Sequence, residues 1–148
     1  MRLRDGVRVV SAIGAVVFAA GCARGVPVIE VTGRDYALTA PDSAAPGLTR
    51  IHFVANGTVA HEVAIARVKA GVKLDSLLAI ELKGADVEGL YDPGEGLLYA
   101  EPGERVDGEL LVDLAPGRSY MLICTLAAKG DTTHSMLGML HPLHVRAK

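Results

Sequence analysis

Tyr120-Met-Leu-Ile-Cys124, then nine residues (Thr125–Thr133), then His134-Ser-Met-Leu-Gly138-Met139: this stretch sets a thiol, an imidazole and a thioether within sixteen residues. The run ending at Cys124 reads as a strand and the segment after it as a loop. Singly, each group has a plain explanation, since a lone Cys behaves as a small buried hydrophobe and a lone Met fills core gaps. Their conjunction points to a metal site. Thiolate and thioether favour cuprous copper, and imidazole accepts either copper state.

Type 1 copper sites take two His nitrogens, one Cys sulfur and a weak axial Met. The second His must therefore come from elsewhere. His61, mid-strand in Asn56-Gly-Thr-Val-Ala-His61-Glu-Val, is the best candidate. His52 reads as a strand surface residue, and His141 and His144 as residues near the edge of the site or on the last strand. His141, two positions after Met139, is the one to watch as an unexpected ligand. Met121 and Met136 are assigned to packing or a hydrophobic rim.

Around these groups the chain alternates in strand rhythm. Short β-type runs cover Val26 to Thr32 and Tyr36 to Thr39, broken by Gly33, and Thr49 to Ala55 forms a strand stopped at Asn56-Gly57. Val59 to Val68 puts Val59, His61, Val63 and Ile65 on one face, with Ala60, Glu62, Ala64 and Ala66 on the other. Leu74, Leu77 and Leu78 follow helical spacing, which predicts one short helix over Leu74 to Lys83, followed by a loop from Gly84 to Gly96. Strands resume over Gly96–Ala100, Arg105–Leu114, Ser119–Cys124 and Leu140–Val145. Short strands, turn signals and one inserted helix predict an all-β, antiparallel β-sandwich.

At this point the sequence resembles the cupredoxins, the blue-copper family of plastocyanin, azurin and pseudoazurin. Asn56, Gly57 and His61 match the approach to an early-strand His. Asp113, Leu114, Pro116, Gly117, Tyr120 and Cys124 match an Asp-Leu-x-Pro-Gly-x-x-Tyr-x-x-x-Cys pattern, and His134 and Met139 match the closing His-x-x-x-x-Met. The resemblance implies an all-β, Greek-key antiparallel β-sandwich in which His61, Cys124 and His134 are equatorial ligands of one type 1 copper ion and Met139 the axial one. It also implies that His134 is the electron exit beneath an apolar patch supplied by Met136, Leu137 and Leu140. The Cys–His loop is longer than in plastocyanin or azurin; longer loops do occur in copper nitrite reductases.

Enzymatic relatives are argued away. Multicopper oxidases flank the Cys with His, whereas here the neighbours are Ile123 and Thr125. A binuclear copper centre needs two thiolates, and a nitrite reductase needs a second domain. Hydrolase signatures such as His-Glu-x-x-His are missing from the sequence. The expected function is thus one-electron transfer, with no enzymatic activity of its own. The alternatives are a module that binds and hands on copper, or a metal-free interaction domain.

The N-terminus reads as an address. Arg2, Arg4 and Arg8 precede an uncharged, largely apolar run from Val9 to Ala20, and Ala19-Ala20-Gly21 leads directly to Cys22. Such a run is short for a membrane span and suits a signal-peptide core. The junction resembles a bacterial lipobox, which implies lipidation of Cys22. The division expected is signal peptide 1–21, tether 22–27 and cupredoxin-like domain 28–148. With 148 residues the chain suits one domain, and 15 basic against 17 acidic residues leave no basic footprint for nucleic acid. The expected setting is a monomer exported to the periplasmic side of a bacterial membrane, serving a redox partner protein.

Overall fold

The computed structural model describes residues 25–106 and 109–148. The expected signal peptide, and Cys22 with it, lie outside the described residues. The elements run β1 (Val28–Arg34), β2 (Ala37–Thr39), β3 (Ser43–Ala44), β4 (Gly47–Ala55), β5 (His61–Arg67), α1 (Leu74–Glu81), β6 (Gly96–Ala100), β7 (Leu110–Leu114), β8 (Ser119–Ile123) and β9 (Leu140–Val145). One 3-10 turn, Glu88–Leu90, interrupts the expected loop between α1 and β6.

Two sheets face each other, ordered β2-β1-β4-β7 and β3-β9-β8-β5-β6. The all-β sandwich with one inserted helix is as expected, but its pairing is mixed rather than wholly antiparallel. β1 runs parallel to β4, with Val28 opposite Arg50 through Gly33 opposite Ala55, and β3 runs parallel to β9. The β1–β4 pair arises because the chain leaves the first sheet after β2 and returns to it only at β4, a crossover that periodicity along one strand cannot reveal. Gly33 does not break β1. A side chain there would press on Phe53 and on Met139 Cε at 3.0–3.1 Å.

Ile29, Val31, Ile51, Phe53, Val63, Ile65, Leu114, Tyr120, Leu122 and Leu143 fill the space between the sheets, joined by Cys124 and Met139. A second cluster, Val68, Leu77, Met121 and Ile123, packs the outer face of β5 and β8 against α1. Both faces of β8 are therefore covered, which is why Tyr120–Cys124 reads as a continuous apolar run rather than an alternating one. The expected strand from Arg105 is shorter in fact. Among the described residues ahead of β7, Arg105 bridges to Val54 and the Val106 N–H donates to Phe53 O at 3.0 Å. Among the described residues no helix is long and apolar enough to cross a membrane.

Candidate metal centre

Three elements deliver the candidate donors. His61 opens β5 and is fully buried, Cys124 follows the last residue of β8 and is fully buried, and His134 lies in the loop beyond, 4 % exposed. The long loop is pinned shut at its base. Ala127 bridges Thr133, the Ala128 N–H donates to Thr132 O at 2.7 Å, and the His134 N–H donates to Leu126 O at 2.9 Å. The extra residues thus form a small closed excursion, and His134 leaves it directly beside Leu126. From there the Met139 N–H donates to His134 O at 2.9 Å and the Cys124 N–H donates to Met139 O at 3.1 Å.

The donor atoms converge. His61 Nδ1 and His134 Nδ1 are 3.3 Å apart, Cys124 Sγ is 3.3 Å from His134 Nδ1, and all three donors lie within 4.8 Å of one another. Two nitrogens bound to one ion at about 2.0–2.1 Å, with tetrahedral to trigonal angles, stand about 3.3–3.6 Å apart. The nitrogen spacing meets that requirement. A thiolate with two imidazoles is a soft, mixed donor set that suits copper or zinc rather than calcium or magnesium. Met139 is fully buried and tied through its backbone to both Cys124 and His134, with its methyl group against β1 at Gly33.

Burial governs the protonation of the centre. Desolvation pushes the Cys124 thiol up from its ordinary 9.0, against the N–H groups of Glu62 and Leu126, which favour the thiolate. Desolvation, with the neighbouring His61 second, pushes His134 down from 6.5. Without metal, both shifts favour the neutral forms of the thiol and of His134. Metal binding must displace the thiol proton.

Residues that sequence reasoning missed surround the donors. The Glu62 N–H points at Cys124 Sγ at 3.4 Å, while its carboxylate accepts from the Thr125 N–H at 3.0 Å and the Thr125 hydroxyl at 2.6 Å. Glu62 is only 8 % exposed. A lone acid inside the apolar run Val59–Val68 was the available signal. Asp35 Oδ1 lies 3.3 Å from His61 Nε2, and the Tyr36 ring meets His134 edge-on at 5.3 Å. Neither residue had a signal beyond turn character after β1.

The remaining histidines stand apart from the cluster. His52 is 3.4 Å from Glu109, His141 Nε2 is 3.4 Å from Asp42, and His144 contacts Ser119. Of the expected apolar rim, Leu137 is exposed, whereas the other two residues pack elsewhere. Leu140 packs toward α1, and Met136 lines a cavity of about 470 Å³ between α1 and the loop. Exposed Tyr36, Val59 and Tyr99 instead line the depression over His134.

No protein-family model matches the sequence, and no curated protein matches it. Solved structures do. Auracyanin from Roseiflexus castenholzii, in its dithionite-reduced form, superposes with a TM-score of 0.52 at 17 % identity, over 82 % of this chain and 98 % of its own. Auracyanin A from Chloroflexus aurantiacus, described as a "blue" copper protein, gives 0.50 at 20 % identity over 82 % and 100 %. An azurin from Methylomonas sp. strain J gives 0.50 at 12 % identity over 81 % and 98 %. The chain has the cupredoxin fold. At such identities the likeness speaks for that fold, and the chemistry of this cupredoxin sandwich rests on its own buried His–Cys–His cluster.

Proposed function

We propose that this protein is a one-electron carrier in which His61, Cys124 and His134 would hold a single type 1 copper ion, with Met139 as a fourth, weaker donor. The observation that carries the reading is the buried convergence of two imidazole nitrogens and one thiol on a common point. The similar auracyanin A is a "blue" copper protein, which supports copper over zinc. Copper in such a site supplies a one-electron couple.

The chain's own part is to keep the donors still. His61 is held by a sheet strand. Cys124 is held by the N–H groups of Glu62 and Leu126, and its own N–H is bound to Met139. His134 closes the site from the loop and is the donor nearest the apolar depression formed with Tyr36, Val59 and Tyr99. A redox partner would meet that face in a small, transient contact. We further infer export, with a lipid at Cys22 raising the effective concentration of the carrier near membrane partners. Cys22→Ala should then shift the protein from the membrane fraction to the soluble one.

The test is repeated reduction and reoxidation of the copper-loaded protein in the presence of a competing copper chelator. A carrier cycles with its metal retained. A copper-handling module loses its metal to the competitor, and a metal-free interaction domain takes up none at all.

A further inference from the structure

The turn between β1 and β2 consists of Asp35 and Tyr36, and each residue addresses a different imidazole. The Asp35 carboxylate is fixed first by Thr58, whose N–H donates to Oδ1 and whose hydroxyl donates to Oδ2, both at 2.7 Å. With both of its oxygens accepting from Thr58, the Asp35 carboxylate acts as an acceptor. Its Oδ1 then faces His61 Nε2 at 3.3 Å. An acceptor-only partner demands a proton on Nε2, and in a neutral imidazole that leaves Nδ1 with its lone pair bare. Nδ1 is the nitrogen that faces the common point with His134 and Cys124.

Two further observations fall on the same turn. Gly57 packs so tightly over the contact that a Cβ there would collide with Asp35 Oδ1 and lie 2.5 Å from His61 Nε2. Tyr36 takes φ 63, the left-handed region that side chains rarely adopt, and its ring stands at 86° to that of His134. Backbone in such a conformation tends to be kept where function needs it.

We propose that the Asp35–Tyr36 turn is a positioning clasp for the two imidazoles, in which Asp35 selects the tautomer of His61 that bares Nδ1 and Tyr36 braces the ring of His134. That the bared nitrogen binds copper rests on the function proposed above; the tautomer and the bracing do not. Orienting partners of this kind are typically worth about 10- to 100-fold in metal affinity.

The test uses the ¹⁵N-labelled full chain, metal-free and at mildly alkaline pH, with imidazole nitrogen correlation spectra. Wild-type His61 should carry its proton on Nε2. Asp35→Ala should mix the tautomers and lower cuprous affinity about 10- to 100-fold. Asp35→Asn, whose amide oxygen still accepts, should keep the tautomer. Thr58→Ala, which loosens the turn without removing the acceptor, should keep it too. Tyr36→Asn preserves a residue tolerant of positive φ and should weaken affinity while leaving the His61 tautomer alone. An Nδ1–H tautomer in the wild type, an unchanged tautomer in Asp35→Ala, or a Thr58→Ala variant as disturbed as Asp35→Ala would overturn the clasp. An Nε2–H tautomer in a wild type that binds no copper would support the clasp and sink the electron carrier.

Discussion

Glu62 and His61 are neighbours in sequence and serve the same centre from opposite faces of one strand. The Glu62 carboxylate is the acceptor for both donors of Thr125, the residue after the candidate sulfur ligand. Glu62→Ala would strand the Thr125 N–H, and denaturant unfolding should show a loss of about 1–3 kcal/mol. Glu62→Gln, which keeps an oxygen there, should lose less. The metal-free protein should also have a bounded pH optimum. His134 is held below its ordinary 6.5, so the unfolded chain binds the extra proton first, and stability falls as pH drops below 6.5 toward the depressed value. Cys124 is held above its ordinary 9.0, so the unfolded chain loses its proton first, and stability falls again as pH rises beyond 9.0. Melting temperatures across that range check both limbs, and His134→Gln should flatten the acid one. The donors themselves were legible because reactive residue types fall close together in a telling order. Asp35 was not, since 26 positions separate it from His61 and only the fold joins them.

At the scale of elements, β8 links the core to the centre. The Tyr120 hydroxyl, fully buried, accepts the Ala115 N–H at 2.9 Å and so ties the Pro116-Gly117 turn to the strand that ends at Cys124. Tyr120→Phe should cost about 1–3 kcal/mol by equilibrium unfolding, because the donor is left without its partner. The pinned loop makes a different forecast. Replacing residues 128–132 with an Asn-Gly turn should change metal affinity by no more than about threefold, because loop length enters closure entropy only logarithmically. A larger loss would mean that the excursion itself shapes the site. Most elements could be read from periodicity, β9 and β6 to the residue. What escaped was set by long-range pairing. β3 is two residues long and exists through its register with His144 and Val145, and β7 begins five residues later than the alternation from Arg105 suggested.

For the molecule as a whole, a buried donor cluster that joins two strands of one sheet to a loop couples metal binding to folding. An ion that binds only the folded chain raises stability by mass action, about 2.7 kcal/mol at a free concentration one hundred times its dissociation constant. The melting temperature should therefore climb with added copper and return to the metal-free value with a chelator, whereas Cys124→Ser should show little rise. The most direct measurement is the visible absorption of the protein loaded with cupric ion, beside Cys124→Ser prepared in the same way. A cysteine thiolate bound to copper predicts an intense charge-transfer band in the wild type that bleaches on mild reduction, returns on reoxidation, and is lost in the serine variant while the far-ultraviolet circular dichroism is unchanged. A wild type with no such band, or one that the serine variant reproduces, would contradict the blue-copper reading.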